Sequence, residues 1–130
     1  MAKTFRDLNV YMMALEASKE VFLMSREWPT VERYALTSQI RRSSRAVSAL
    51  VAEAWARRRY EGAFTNSINQ ALGEVYETQA WFDQAYECGY IDEACRNVLD
   101  SRWSSIGGML QRMIDRADEF APLARRNARR

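Results

Sequence analysis

The sequence predicts an all-α protein, an antiparallel up-down bundle of four helices, and three observations carry that reading. Apolar residues recur at three- and four-residue intervals through four separate segments. Gly and Pro are scarce, five and two in 130 residues, which suits long helices better than a turn-rich β fold. Turn signals fall between the periodic segments, at Pro29, around Tyr60–Gly62 and at Gly89.

The first helix is expected over about residues 7–28. Val10, Ala14, Ala17, Val21, Met24 and Trp28 form one apolar stripe, and Leu8, Met12, Leu15 and Phe22 form a second. Together they cover more than half the circumference, wider than a lone bundle needs, so this helix also predicts self-assembly. Pro29 ends it, because the residue before a proline is pushed out of the α region. The second helix is expected over 37–59, with Thr37 or Ser38 as N-cap and Leu36, Ile40, Val47, Val51 and Ala54 as its apolar face.

The third helix is expected over 63–88, with Phe64, Ile68, Ala71, Val75 and Phe82 in register, and Gly89 supplying a left-handed C′ residue. The fourth is expected over 92–119 behind an Asp92 N-cap. Its stripe is the cleanest in the chain: Leu99, Trp103, Ile106, Leu110, Met113, Ala117 and Phe120. Gly107 and Gly108 lie inside it, costing about 1 kcal/mol each against alanine unless close packing compensates. Residues 1–120 thus make one bundle domain, and 121–130, ending in "ARRNARR", read as a basic flexible tail.

Bulk properties narrow the function. A hydrophobic fraction of 48% with 28% charged residues describes one globular domain. There is no run of about eighteen apolar residues to span a membrane, and the first twenty residues mix both charge signs without a signal-peptide core. A cytoplasmic protein is expected. Histidine, the commonest general base and metal ligand, is missing altogether. Cys88 and Cys95 flank a turn at a spacing that fits no common zinc pattern, and they read as reduced thiols.

Carboxylates at Glu74 and Glu77, or Asp115, Asp118 and Glu119, read as a solvated face, since a di-metal bundle needs histidine partners. Trp55, Trp81, Tyr76 and Tyr86 read as bundle or subunit contacts. No phosphate loop or nucleophile elbow is present. Neither enzymatic activity nor a metal or cofactor is expected.

The conspicuous stretch is Tyr34–Arg59, "YALTSQIRRSSRAVSALVAEAWARRR", with six arginines against one acid in a chain whose formal charge is only +2. At about 100° per residue, Arg41, Arg45, Ser48, Ala52 and Arg59 share a narrow sector bordered by Ser38, Ala49 and Ala56. Guanidinium forks over a floor of small residues can grip phosphates. The same pattern also suits tight helix packing, with the arginines paired to acids of neighbouring helices. Acids are available: Tyr60–Phe120 holds eleven against four arginines, a net −7. Spacing alone favours packing or solvation.

"FRDLNV" from Phe5, "WPTVERYALTSQIRRS" from Trp28, "VAEA" from Val51, "ALGEVYE" from Ala71 and "GYID" from Gly89 occur in a telling order. Over Phe5–Phe120 the chain resembles the bacterial four-helix-bundle family encoded in 23S ribosomal RNA intervening sequences, which includes the accessory variability protein of diversity-generating retroelements. Tyr34–Arg42 is the most specific part of the match.

The resemblance implies a ring-like homopentamer and, as in the retroelement relatives, a basic surface that binds RNA or DNA and a partner reverse transcriptase. Ser38, Gln39, Arg41, Arg42 and Glu53 match the family motif, as do Ala71, Gly73 and Glu77. Where the family has Pro, Asn and Gly in the second helix, this chain has Ser48, Leu50 and Ala54, so a straighter helix is expected.

The six arginines then divide into two groups. Arg57, Arg58 and Arg59, joined by Arg125 and Arg126 of the tail, are the leading candidates for nucleic-acid contact; Arg41 and Arg45 are second candidates. Arg42, with Ser38, Gln39, Glu53, Gly73 and Glu77, reads as structural. The alternative is a protein adaptor whose arginines serve subunit contacts.

Overall fold

The structure is a computed structural model that describes residues 2–121. Among these the chain is all-helical, with four long helices and no strand. They are α1 (Asn9–Ser25), α2 (Leu36–Ala56), α3 (Glu61–Glu87) and α4 (Glu93–Asp115), followed by a short α5 (Ala117–Phe120). Each long helix packs on its sequence neighbour, most extensively α2 on α3, and α1 closes the bundle against α4.

The entry to α1 departs from the expected start at residue 7. Thr4 and Asp7 form a capping box around a 3-10 turn, Phe5–Asp7, and Leu8 is extended before α1 begins. Beyond Ser25 the chain tightens, with Trp28 N–H bonded to the Ser25 carbonyl at 3.2 Å, and the helix stops three residues short of the expected end. Trp28 turns inward against Tyr90, their rings 5.8 Å apart.

The expected hydroxyl cap of α2 is not used. The helix starts at Leu36 after Ala35, and Thr37 is buried against the bundle. The Glu32 carboxylate receives the Leu36 N–H instead, at 3.4 Å, an acid placed where the helix dipole favours one. At the other end α2 stops at Ala56, so Arg57–Arg59 belong to the connection to α3 rather than to the helix.

The α3 terminus follows the glycine signal closely. Gly89 has φ +75°, Gly89 N–H bonds the Tyr86 carbonyl and Tyr90 N–H bonds that of Ala85, both at 2.9 Å, the pair of bonds that defines a Schellman motif. Asp92 caps α4 as expected, its Oδ1 accepting the Cys95 N–H at 2.8 Å. The fourth helix is not continuous to 119: Arg116, at φ −116° and ψ 36°, separates α4 from α5. The break brings Phe120 onto Phe64, the rings stacked at 6.2 Å.

The core holds the apolar stripes read from the sequence. Val10, Ala14, Ala17 and Val21 meet Ile40, Val47, Val51 and Ala54, while Phe64, Ile68, Val75 and Phe82 meet Trp103, Ile106 and Leu110; all are buried. Complete burial of each Val, Ile, Leu or Phe among them contributes about 1.5–3 kcal/mol. One polar interruption lies within: Ser43 and Thr78, both fully buried, share a 2.8 Å hydrogen bond between α2 and α3. At Gly107 an added Cβ would sit 3.5 Å from Val75 Cγ1, ordinary contact, so the close approach of α4 to α3 accommodates glycine without demanding it.

The second stripe of α1 behaves differently from the first. Leu8 is buried and Phe22 half-buried, but Met12 and Leu15 are exposed, as is Leu23 beside them. Residues 122–130, with Arg125 and Arg126, lie outside the described residues.

Candidate anion-binding groove

The arginines of α2 divide by what faces them. Arg42 lies toward α3 and donates to both carboxylates there, Glu74 at 3.3 Å and Glu77 in a closer pair. Its Nε also reaches Gln39 Oε1 at 3.4 Å. The hydrogen bond to Glu77, then that to Glu74, raises the Arg42 pKa. Burial and a hydrogen bond to Glu77 leave the Glu74 carboxyl above its ordinary range. Burial also pushes Glu77 up, but the bonds from Arg42 and Glu74 outweigh it and hold that carboxyl low. The trio is a clasp between α2 and α3 in which Glu77 is the acid that Arg42 favours in its ionised form.

Arg41 and Arg45 project the other way, toward α1, one helical turn apart. Arg41 Nε donates to Ser25 Oγ at 2.9 Å, and that hydroxyl donates to the Phe22 carbonyl at 3.1 Å. The guanidinium carbons of Arg41, Arg45 and Arg26 lie over one ring, that of Phe22, at 4.8, 5.4 and 5.7 Å from its centroid. Among the described residues no carboxylate pairs with any of the three. Burial first, then the charges of Arg45 and Arg26, pulls the Arg41 pKa below the usual arginine value, though arginine stays charged at neutral pH.

Beside this cluster a groove of about 560 Å³ runs between α1 and α2, lined by Leu15, Glu16, Ser18, Lys19, Phe22, Arg45 and Ser48. Its serine hydroxyls turn back onto their own helices, Ser18 to the Leu15 carbonyl at 2.9 Å and Ser48 to that of Arg45 at 3.3 Å. That satisfies their polarity while keeping the floor narrow. Glu16 is the one acid on its wall.

The arginines after α2 have local partners. Arg57 pairs with Glu53 at 2.6 Å. Arg58 lies 4.1 Å over the Trp55 ring and donates to the Trp55 carbonyl at 2.8 Å. Arg59 sits 5.9 Å from the Tyr60 ring. The structure therefore brings Arg41 and Arg45 together with each other and with Arg26, but it does not bring them to Arg57–Arg59. Sequence reading missed Phe22 and Arg26. Phe22 had been counted in an apolar stripe, and nothing local marks its ring as the surface onto which α2 would aim two cations.

The other motif positions divide between helix contacts and the surface. Gln39, Arg42 and Glu77 meet in the α2–α3 clasp, with Ala71 buried nearby on α3 and Ser38 and Gly73 exposed. "WPTVERY" and "GYID" meet at a second clasp, where Trp28 packs on Tyr90 and the Tyr90 hydroxyl donates to Glu32 Oε2 at 2.8 Å. That bond, then burial, pushes the Tyr90 phenol up to about 12.

Fold and site together define a four-helix-bundle protein that carries, on one helix pair, a cluster of cations paired to no carboxylate among the described residues. Residues 6–112 match the family model of the 23S rRNA-intervening sequence proteins, and the chain belongs to that family. The fold is similar to the crystal structure of a protein of unknown function from the S23 ribosomal protein family of Bacteroides thetaiotaomicron. The TM-score is 0.73 at 23% identity, over 82% of this chain and 95% of that one. No curated protein matches the chain significantly. No helix among the described residues is long and apolar enough to cross a membrane.

Proposed function

We propose that the protein is a non-enzymatic, cytoplasmic accessory factor that assembles into a ring-like homo-oligomer of antiparallel bundles and binds RNA or DNA through the α1–α2 groove. The single observation that carries the binding is the convergence of Arg26, Arg41 and Arg45 over Phe22 with no carboxylate among the described residues paired to them. Like charges brought together without a counter-ion repel, and a polyanion relieves that repulsion while releasing its own counter-ions. The antiparallel reading is supported by cross-helix contacts such as Gln79 with Ser104 and Asp83 with Arg96, in which numbering falls along α3 as it rises along α4.

Fluorescence anisotropy with labelled RNA and DNA oligonucleotides tests the reading. Affinity should fall steeply with salt, and Arg41→Gln/Arg45→Gln should reduce the slope of log K against log salt by about 1.4 for single strands or 1.8 for duplex DNA. If charge reversal at Arg57, Arg58 and Arg59 removes binding and the Arg41/Arg45 pair does not, the site moves to the α2–α3 turn.

A second reading, a protein adaptor without nucleic-acid binding, draws on a separate observation: Met12, Leu15 and Leu23 remain exposed on α1. Sedimentation of Met12→Glu/Leu15→Glu separates the two. Loss of the oligomer in the variant, together with a wild-type protein that ignores nucleic acid, would favour the adaptor.

A further inference from the structure

The geometry of the groove bears on which part of a nucleic acid it would hold. A protein that reads single-stranded nucleic acid through its bases offers an aromatic ring for stacking. Here the half-buried ring at the centre of the site has three guanidinium groups over it, the nearest at 4.8 Å, so a base would have to displace one of them to stack. The ring instead stabilises the cations: its negative face attracts each guanidinium and opposes their mutual repulsion.

Ser25, buried at the end of α1, fixes Arg41 further through its Nε. One of the five N–H donors of Arg41 is thereby used, and the others have no protein partner among the described residues. Those of Arg45 and Arg26 have none either. The donors are thus held in place, charged and uncommitted, beside a groove whose floor of serines has no spare hydrogen to offer a base edge.

We propose that Phe22 is the positioning residue of this site. It holds Arg26, Arg41 and Arg45 as a preformed guanidinium cradle for phosphodiester oxygens, so that nucleic acid is bound by its backbone without regard to base identity. The inference rests on the nucleic-acid reading of the groove and adds to it a mode of recognition and a residue that carries no charge. A preformed cradle spares the ligand the cost of ordering three long side chains.

The test uses the full chain at low salt, single-stranded homopolymers of equal length and different base, and inorganic polyphosphate as a base-free competitor. The homopolymers should bind within about threefold of one another, and polyphosphate should displace them. Phe22→Leu should weaken binding by about tenfold, and Phe22→Tyr, which keeps the ring, should restore it. The salt slope should stay at its wild-type value in Phe22→Leu, because no charge has been removed. Ser25→Ala, which frees Arg41 and leaves the ring untouched, should cost about threefold and provides a readout if Phe22→Leu folds poorly.

A preference of more than about tenfold for one homopolymer, or failure of polyphosphate to compete, would show that bases are read and would overturn the inference. So would wild-type affinity in both Phe22→Leu and Ser25→Ala. If wild type binds neither oligonucleotide nor polyphosphate at low salt, the nucleic-acid reading itself falls and this inference with it, a result distinct from all the others.

Discussion

Replacing Arg42 with glutamine should cost stability and leave nucleic-acid binding intact, while the Arg41→Gln/Arg45→Gln pair should do the reverse. Arg42 joins α2 to two carboxylates on α3, but its side chain is 49% exposed, so each pair is screened and contributes at most about 1 kcal/mol. Its removal also leaves Glu74 and Glu77 as like charges one turn apart, worth a few tenths more. The expected loss is about 1–2 kcal/mol.

For Arg41 and Arg45 the balance differs. Each loses a partly exposed ring contact of about 0.5–1 kcal/mol and Arg41 also its hydrogen bond to Ser25, largely offset by relief of repulsion within a three-cation cluster, for a net loss of about 1 kcal/mol or less. Urea unfolding at one fixed protein concentration measures both, and the Arg42 effect should shrink in 0.5 M salt, roughly the concentration at which surface pairs are largely screened.

The pH dependence has a defined sign. Glu77, held below 4.5, stabilises the fold above that value and loses its contribution as pH falls through its lowered folded pKa. Glu74, raised, works against it by opposing the fold while ionised. The gap between wild type and Arg42→Gln should therefore close in acid as Glu77 is protonated. Arg41→Gln/Arg45→Gln destabilised by more than about 1.5 kcal/mol, or Arg42→Gln unchanged in stability but impaired in binding, would refute this division of labour.

Three further outcomes follow from the packing. In a double-mutant cycle, Ser43→Ala and Thr78→Val should each cost about 1 kcal/mol, while the double variant costs less than their sum, because the bond the two hydroxyls share can be lost only once; additivity would argue against the buried bond. Spectrophotometric titration should find one tyrosine ionising near 12, and Glu32→Gln should bring it back toward 10. The bond that raises Tyr90 stabilises the fold below pH 10, and that stabilisation is lost as pH rises through about 12. Gly73→Ala and Gly108→Ala should each raise stability by up to about 1 kcal/mol, since an added Cβ meets nothing within 4 Å at Gly73 and only the end of a flexible arginine, 3.6 Å away, at Gly108. A loss at Gly73 accompanied by dissociation would place that residue in a subunit contact.

The helices and their inner faces were legible in the sequence, because burial on a helix repeats every three or four residues and each stripe could be read alone. Asp92 as cap and Gly89 as stop were legible for the same reason: both act on backbone groups within a few residues. The N-terminus of α2 was not. Thr37 is a good cap by type, but a tertiary demand buries it, and Glu32 from the preceding turn takes the role. The ends of α1 and α4 were also overrun, where Trp28 turns to Tyr90 and Phe120 to Phe64, contacts between residues far apart in the chain.

By itself, then, the sequence determined the bundle, its core and a family signature, all properties of local periodicity and local caps. It also showed that arginines were concentrated between Tyr34 and Arg59. Which of them are spoken for was decided only by tertiary structure, because a guanidinium is neutralised or left free by whatever the neighbouring helix places within a few ångströms. Arg42 and Arg41 are adjacent in sequence and about 100° apart on α2. That angle turns one toward the carboxylates of α3 and the other toward Phe22, Arg26 and the open groove of α1.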